Sequence, residues 1–238
     1  MTVEEYFGEW SKVVDTIEAN RIIKSLIASR QVVCPKIKDI FKAFTLCSLQ
    51  DLKIVIIGQD PYFDNKATGI AFGNSTNTPK ESYSPSLEIL MESVINFSCP
   101  HGRITFDASL EKWEVQGVLM LNSALSCIAG KPGSHYLLWR PFMTSFLSNL
   151  STNTSGIVYV LLGSQAIGLA PYINQRYNHI IKAKHPSWYA RNRCPMPHDL
   201  WSQIDKILIG IYGYSIEWYK EDKFLDKQRY EEVLYEEY

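Results

Sequence analysis

Residues 53–72, with the sequence KIVIIGQDPYFDNKATGIAF, decide the fold of this chain. The run at 54–57 is apolar and β-branched, which predicts a buried strand. Gly58 ends the run and permits a tight turn, and Asp60 follows, with Pro61 to stiffen the backbone. Because a carboxylate directly after a buried strand is costly to desolvate, its presence there indicates a functional role.

Three more apolar runs follow, at 118–121, 157–162 and 179–184, and segments with helical periodicity separate the runs. Strands that alternate with helices predict a parallel sheet with right-handed crossovers. We therefore expect an α/β, single-domain, three-layer fold, in which a central four-stranded, parallel, twisted sheet is flanked by helices. The connecting helices are expected to begin at Ser86 and to span 108–114, 140–150, 165–172 and 199–211.

The length and composition bound the class of protein. The chain has 238 residues, of which 46% are hydrophobic and 13% aromatic, enough for a full core in one domain over residues 1–238. Residues 1–50 are expected to form a helical N-terminal layer over the sheet. Residues 217–238 hold eight acidic and four basic side chains, and we expect an acidic surface helix or tail there.

The charge is unevenly distributed, although the formal net charge is only −1. The segment 182–193 contains four basic side chains and no acidic one. A local basic loop can bind phosphate groups even on a nearly neutral protein. The average charge therefore does not predict nucleic-acid binding, but this loop is compatible with it.

Cysteine usage and the absence of targeting signals suggest where the protein works. The five cysteines are widely separated and show no C-x-x-C spacing, which favours free thiols in a reducing compartment. We expect no metal site and no cofactor. The first ten residues lack a signal-peptide core, and no apolar run approaches the roughly 20 residues that span a membrane. We expect a cytoplasmic location in a bacterium, or the nuclear or host-cell compartment of DNA replication for a eukaryotic or viral protein.

Polar or turn-forming residues follow all four predicted strands. In chain order they are Gln59 and Asp60, Asn122, Gly163 and Ser164, and His185. The carboxyl ends of parallel strands lie at one edge of a sheet, where ligands bind in open α/β folds. We therefore expect a carboxylate, an amide, a small turn and an imidazole around one pocket. Taken singly, each has a common structural explanation, such as an Asp-Pro turn or a strand-ending Asn.

Five motifs in this region resemble, in order and spacing, those of the family 1 uracil-DNA glycosylases. The motifs are GQDPY at 58–62, GIAF at 69–72, GVLMLN at 117–122, LGS at 162–164 and HPS at 185–187. The resemblance implies hydrolysis of the N-glycosidic bond of uracil in DNA by base flipping, as in base excision repair, which releases free uracil and leaves an abasic site. No lysine matches a Schiff-base nucleophile, so a monofunctional glycosylase is expected.

The resemblance assigns two residues to bond cleavage. Asp60 would stay ionised, stabilise an oxocarbenium-like sugar and orient the attacking water. His185 would hydrogen-bond O2 of the departing uracil anion as a neutral imidazole.

Four further residues are implied to recognise the base. The backbone around Gln59 would donate hydrogen bonds, and Phe72 would stack on the ring. Asn122 would bond the O4/N3 edge of uracil and reject cytosine, which offers the opposite donor–acceptor pattern. Tyr62 would sit against C5 and exclude the methyl group of thymine.

Three loops are implied to hold DNA through small side chains, hydroxyls and exposed N–H groups. They comprise Ser84, Pro85 and Ser86; Gly163 and Ser164; and Pro186, Ser187, Trp188, Tyr189 and Arg191. The implied partners are uracil-containing single- and double-stranded DNA, with a glycosylase inhibitor protein or a replication partner as possible protein partners. We expect a monomer without a membrane partner.

The chain departs from the family pattern at two places. Phe63 replaces the histidine that usually follows GQDPY, so a polar contact near the water or phosphate is expected to be lost. Tyr189 stands where the family has a leucine wedge, with Trp188 before it. We expect Tyr189 to fill the gap left by the flipped nucleotide, with stacking worth about 1–3 kcal/mol per base.

Two other functions remain open from the sequence. One is a DNA-binding replication or processivity factor on a glycosylase scaffold, which would bind DNA without releasing a base. The other is a related glycosylase that acts on thymine or alkylated bases, although Tyr62 argues against thymine.

Overall fold

The computed structural model describes residues 3–64 and 66–222 of the chain. Its strands are β1 (Val33–Cys34), β2 (Ile54–Gly58), β3 (Arg103–Thr105), β4 (Val118–Asn122), β5 (Cys127–Ile128), β6 (Val158–Leu162), β7 (His179–Ala183) and β8 (Lys220–Asp222). Four of these strands form the central sheet, in the order β4-β2-β6-β7, and every neighbouring pair is parallel. The predicted α/β class and its four-stranded parallel sheet are confirmed.

Helices cover both faces of this sheet. The α-helices are α1 (Val3–Phe7), α2 (Thr16–Ser29), α3 (Lys42–Leu46), α4 (Pro85–Ser98), α5 (Glu111–Glu114), α6 (Tyr136–Asn153), α7 (Ser164–Ile167), α8 (Pro186–Asn192) and α9 (Asp199–Tyr212). Short 3₁₀ helices span Gly8–Lys12, Ile37–Asp39, Lys80–Ser82 and Ala170–Tyr172. The N-terminal helices and α6 lie on one face, whereas α4, α5 and α9 lie on the other.

The alternation of side chains along each strand separates two cores. In β2, Val55 and Ile57 enter the core beneath α2 and α6, whereas Ile54 and Ile56 enter the core beneath α4 and α9. All four side chains are fully buried, because a parallel sheet with helices on both faces has no solvent side. The continuous apolar run at 54–57 is therefore explained by burial on both faces.

Several predicted helix boundaries are wrong. The helix after the serine-rich turn starts at Pro85, with Ser84 rather than Ser86 as its N-cap residue. The helix predicted at 108–114 is limited to α5, because Leu110 has a left-handed backbone with φ of 60° and cannot be helical. Loop hydrogen bonds from Ser109 to Asp107 replace the missing helical turn.

The start of the acidic C-terminal segment is a strand rather than a helix or tail. β8 pairs with β3 in antiparallel fashion, with Ile104 opposite Glu221. Residues 223–238, which complete the predicted acidic segment, lie outside the described residues. Within 3–64 and 66–222, no helix is both long enough and apolar enough to cross a membrane.

Candidate active site

The carboxyl ends of the four central strands meet at one edge of the sheet, as their parallel order requires. A cavity of about 450 Å³, open mouth included, lies at this edge. Its lining residues are Asp60, Tyr62, Phe72, Asn122 and His185, together with Ile40, Pro61, Ala67, Gly69, Ile70, Ala71, Ser86, Leu121 and Leu125. The structure therefore brings the predicted carboxylate, amide, rings and imidazole around one cavity, although they are far apart in the sequence.

Gly58 makes room for two of these side chains. It lies opposite Asn122 in the pairing of β2 with β4. A Cβ at Gly58 would lie 2.5 Å from Asn122 Oδ1 and 2.7 Å from Phe72 Cζ, closer than real contacts allow. Among the described residues, no hydrogen bond engages the side-chain amide of Asn122, which is 8% exposed. This amide can therefore bond a ligand in the cavity.

The backbone of Phe72 is strained in a way that aims its ring. Its φ is 65°, in the left-handed region that costs a non-glycine residue about 1–2 kcal/mol. Tyr62 O–H donates to the Phe72 carbonyl at 3.0 Å, and Ala71 N–H donates to the Met120 carbonyl at 3.2 Å. These bonds hold the strained turn, so the ring is positioned before any ligand arrives.

The carboxylate of Asp60 is half-buried and held by two donors. Gly133 N–H donates to Oδ2 at 2.6 Å, and Tyr136 O–H donates to Oδ1 at 3.2 Å. Burial raises the pKa of Asp60, and the two hydrogen bonds oppose this rise because they favour the charged form. The carboxylate is thus fixed in orientation while one side of it faces the cavity.

The imidazole of His185 has a defined tautomer. Ser187 N–H donates to its Nδ1 at 3.2 Å, and the Ser187 hydroxyl lies 2.8 Å from the same atom. Arg191 donates to that hydroxyl oxygen at 3.1 Å, so the hydroxyl proton is directed to Nδ1. Nδ1 is therefore an acceptor, and the proton of the neutral ring resides on Nε2.

The same surroundings keep His185 neutral. Burial and the positive charge of Arg191 lower the pKa of His185 to about 4. Its ring lies beside Phe72, with 5.4 Å between the ring centroids and 41° between the planes. At neutral pH this residue offers one N–H donor to the cavity without a positive charge.

Gln59 and Gly163 pack at the rim of the site. A Cβ at Gly163, whose φ is 93°, would lie 2.9 Å from both Gln59 Nε2 and His185 Cβ. The Gln59 carbonyl accepts from Ala124 N–H at 3.1 Å. Gly163 thus lets the loops after β2, β6 and β7 approach one another closely, and the side chain of Gln59 is not among the cavity-lining groups.

The three predicted DNA-binding loops are exposed only in part. Ser164 and Arg191 are exposed, as is Pro85, and Ser187 is half-buried. Ser84 is 2% exposed, and its hydroxyl and N–H are both bonded to Asn74, at 3.0 and 3.1 Å. Ser84 therefore holds the loop through Asn74, and a direct contact of Ser84 with DNA stays a prediction.

The side chain predicted as the wedge, Tyr189, lies in the core in this structure. Pro186 and Tyr189 are the buried residues of α8, and the tyrosine is only 8% exposed. Residues three apart lie on the same face of a helix, so Tyr189 joins Pro186 against the core. Trp188, one position earlier, is rotated outward and half-buried, with Lys184 Nζ 3.4 Å from its ring centroid. Trp188 is therefore the aromatic side chain that α8 presents beside His185.

Gly133 and Tyr136 are site residues that the sequence analysis did not find. The sequence did contain a signal for them. Phe63 stands three positions after Asp60, where the family has a histidine, so a polar group is missing there and another donor to Asp60 could be expected. Phe63 is 48% exposed and cannot replace the lost donor. A search for a new donor in the polar loop 131–134 and the start of α6 could have found both residues.

The described part of the chain has no grouping for a metal ion. Across the described ranges, no three His, Cys, Asp or Glu side chains are grouped closely enough to hold one. The cysteines at 34, 47, 99, 127 and 194, all of them described, form no disulfide with one another.

Comparison with known proteins decides the family. The profile of the Uracil DNA glycosylase superfamily matches residues 44–205. The chain belongs to this superfamily. A uracil-DNA glycosylase of Buchnera aphidicola subsp. Acyrthosiphon pisum is 36% identical over 194 residues, which cover 80% of this chain and 86% of the relative. A uracil-DNA glycosylase of Coxiella burnetii is 33% identical over 226 residues, 92% of this chain and 91% of the relative.

Solved structures support the fold of this glycosylase. A mimivirus uracil-DNA glycosylase matches with a TM-score of 0.72 at 24% identity, over 82% of this chain and 77% of the other. A mimivirus variant crystallised in complex with UGI matches with a TM-score of 0.74 at 22% identity, over 92% and 88% of the two chains. The α/β architecture is therefore the one found in solved members of the superfamily.

Proposed function

We propose that this protein hydrolyses the N-glycosidic bond of deoxyuridine in DNA, releasing free uracil and leaving an abasic site. The observation that carries the proposal is a single cavity that combines an oriented carboxylate, a neutral imidazole, an amide and an aromatic ring. As a member of its family, the protein is a monofunctional glycosidase of base excision repair. The roles of individual residues below are part of the proposal.

Recognition of uracil is assigned to the Asn122 amide and the Phe72 ring. The amide can accept from N3–H and donate to O4 of uracil, and cytosine would present a mismatched pair of groups to it. Phe72 supplies a flat apolar surface for stacking of the flipped base. Gly58 supports this role, because any side chain there would displace both groups.

Tyr62 is assigned to the exclusion of thymine. It lines the cavity, and its hydroxyl is tied to the Phe72 carbonyl, so the ring cannot move aside freely. A methyl group at C5 of the base would then collide with it, which disfavours thymine in the cavity.

Bond cleavage is assigned to His185 and Asp60. As the C1′–N1 bond breaks, its electron pair moves onto uracil, and the Nε2–H of His185 stabilises the charge at O2. The sugar becomes an oxocarbenium-like cation, which the Asp60 carboxylate stabilises electrostatically. A water oriented by Asp60 then attacks C1′ and transfers a proton to the carboxylate, and the uracil anion is released as free uracil after it takes up a proton from solvent.

Contacts with the DNA backbone are assigned to exposed groups around the cavity mouth. Ser164 and Arg191 offer hydroxyl and guanidinium donors suited to phosphate, and Ser187 acts indirectly, because its hydroxyl proton is directed to His185 Nδ1. Trp188 is assigned the place of the wedge, because Tyr189 is buried. A glycosylase inhibitor protein is a further proposed partner, and the mimivirus complex with UGI supports it.

A base-release assay tests the proposal. Single-stranded DNA with one deoxyuridine is incubated with the protein and then treated with alkali, which cleaves at abasic sites. We expect cleavage at the uracil position with the native protein, and a rate about 10²- to 10³-fold lower with Asp60→Asn. Thymine and cytosine at the same position should give no cleavage.

Two results would contradict the proposal. DNA binding without base release would favour the replication or processivity factor, and release of thymine from a G·T duplex would favour a broader glycosylase. A covalent protein–DNA adduct formed in the presence of borohydride, which reduces an imine between a protein amine and the abasic sugar, would contradict the monofunctional mechanism.

A further inference from the structure

A groove lined by lysines lies beside the uracil cavity. Its volume is about 1160 Å³, open mouth included, and Ala67 lines both the groove and the cavity. Residues 33–42 contribute one wall, and residues 66–68 and 74–82 contribute the other. Because the two spaces share a lining residue, the groove lies within reach of nucleotides that flank a base held in the cavity.

The groove carries an excess of positive charge. Its charged side chains are Lys36, Lys38, Lys42, Lys66 and Asp39. Lys42 Nζ is already neutralised by Glu111 Oε1 at 2.7 Å. Lys36 and Lys38 are exposed, and no carboxylate of the described residues forms an ion pair with either. These two ammonium groups are available to an anion.

A third ammonium group is nearly free. Lys66 Nζ lies 3.9 Å from Asp64 Oδ2, and the two side chains are 46% and 50% exposed. Such an exposed pair contributes little, so a phosphate group can compete for Lys66.

The other lining groups suit phosphate rather than bases. The hydroxyls of Thr68, Ser75, Thr78 and Ser82 line the groove. No aromatic side chain of the described residues lines it, so it offers no stacking surface. Ammonium and hydroxyl donors without rings are typical of contacts with the nucleic-acid backbone.

Close backbone packing separates the groove from the uracil cavity. A Cβ at Gly69 would lie 1.9 Å from the Asp39 carbonyl oxygen, and the φ of Gly69 is 90°. The loop 66–70 is therefore pressed against the segment that carries Lys36 and Lys38. The position of these lysines relative to the cavity is thus set by the backbone.

We propose that this groove binds phosphate groups of the DNA strand on one side of the flipped deoxyuridine, with Lys36, Lys38 and Lys66 as its cationic contacts. The proposal rests on the proposed function, because the strand reaches the groove from the uracil cavity. The contacts are independent of base sequence, and they extend the binding site beyond the three loops at the cavity mouth.

Binding of a non-cleavable strand tests the groove directly. The probe is a single-stranded 12-mer with one 2′-fluoro-2′-deoxyuridine, and its Kd is measured by fluorescence anisotropy at several salt concentrations. Lys36→Glu/Lys38→Glu should raise Kd about tenfold and lower the slope of log Kd against log salt by about 1.4, or 0.7 for each lost contact. Lys36→Gln/Lys38→Gln should give a smaller change in the same direction.

The matched control reverses two exposed charges elsewhere. Lys24 and Lys206 are exposed on α2 and α9, outside the groove, so Lys24→Glu/Lys206→Glu makes the same change in net charge. We expect it to bind the 12-mer as the native protein does. An equal loss of binding in this control would overturn the proposal, because it would show an effect of overall charge.

Substrate length provides the second test. Uracil release from a trinucleotide should be unchanged in Lys36→Glu/Lys38→Glu, since this substrate is too short to occupy the groove. With 12-mers that carry deoxyuridine near either the 5′ or the 3′ end, the increase in KM should be confined to one of the two. An equal increase for the trinucleotide, or no increase for either 12-mer, would overturn the groove assignment.

The experiments distinguish an error in the groove assignment from an error in the proposed function. If the native protein releases no uracil from any substrate, the proposed function is wrong, and the anisotropy measurement still reports on the groove. If the native protein releases uracil but the groove variants bind the 12-mer normally, only the groove assignment is wrong.

Discussion

Tyr136 donates a hydrogen bond to the Asp60 carboxylate. Phe63, which stands where the family has a histidine, has no polar side-chain group to offer. The Tyr136 hydroxyl donates to Asp60 Oδ1 at 3.2 Å, while Gly133 N–H donates to Oδ2 at 2.6 Å. Burial raises the pKa of Asp60, and each donor acts against this rise. We infer that Tyr136 is a positioning residue, which acts on the reaction through the ionisation and orientation of Asp60.

Tyr136→Phe should shift the acid limb of the pH–rate profile upward. Without the hydroxyl donor the charged form of Asp60 is less stable, so its raised pKa rises further. Activity needs the carboxylate and falls as pH drops through this pKa. The variant should therefore lose more activity at pH 5 than at pH 8, as measured by kcat across that range.

A remote hydroxyl serves as the control. Tyr177 is 57% exposed and lies outside the cavity, so Tyr177→Phe should leave the profile unchanged. A profile for Tyr136→Phe that coincides with the native one would show that its hydrogen bond does not affect the ionisation of Asp60.

At the scale of the element, α8 determines which aromatic ring is buried and which is partly open to solvent. His185 is its N-cap residue, and its buried face carries Pro186 and Tyr189. Consecutive residues of a helix point about 100° apart, so Trp188 packs at the edge of the core that Tyr189 enters and stays half-buried. Lys184 lies over its indole, which places a positive charge beside a stacking surface.

Trp188→Ala should weaken activity on duplex DNA more than on single strands. A duplex closes over the space left by a flipped nucleotide unless a ring fills it, whereas a single strand has no such gap. We expect kcat/KM to fall about tenfold more for the duplex, in line with the energy of one stacked base. The measurement compares one sequence in both forms.

The neighbouring ring provides the comparison. Tyr189→Phe keeps the buried ring and should change neither activity by a large factor. Equal losses on duplex and single strand for Trp188→Ala would indicate a general binding role and would exclude a wedge.

At the scale of the whole molecule, one buried acid affects stability. Glu114 is fully buried at the end of α5, where its Oε1 accepts from Met120 N–H at 2.9 Å, and its Oε2 has no partner among the described residues. Burial raises the pKa of Glu114 well above its usual range. Burial therefore favours the neutral acid in the folded protein, whereas the unfolded chain ionises this residue near pH 4.3.

Glu114→Gln should raise the stability of the protein at pH 8. The stabilising contribution of a group with a raised pKa is complete below its unfolded pKa and is lost as pH rises toward the folded pKa, at about 1.4 kcal/mol per unit. Glutamine has the same shape without the ionisation. We expect a Tm about 5 °C above the native value at pH 8 and a much smaller difference at pH 4.

An exposed glutamate is the control for the loss of one negative charge, which Glu114→Gln also causes. Glu88 is exposed on α4, so Tm for Glu88→Gln should follow the native pH dependence. Parallel pH dependences for Glu114→Gln and the native protein would show that Glu114 ionises equally in the folded and unfolded chains.

Much of the fold could be predicted because it depends on local pattern. The β-branched run of β2 has no polar residue on either face, and this alone indicates a strand buried between two helical layers. Parallel order then forces the ends of β2, β4, β6 and β7 to one edge, so Asp60, Asn122 and His185 meet. Helix boundaries were less predictable, because left-handed residues such as Leu110 leave no strong mark in the sequence.

The amino-acid sequence by itself determined the α/β class, the family and the set of polar groups around the cavity, since strand burial and motif spacing are properties of the chain. Only the tertiary structure decided that Tyr189 is buried and Trp188 only half-buried, because the rotation of α8 depends on what it packs against. It also decided that Tyr136 reaches Asp60 and that the lysines of 36–42 line a groove beside the cavity. These are contacts between segments distant in sequence, and no local pattern encodes such distances.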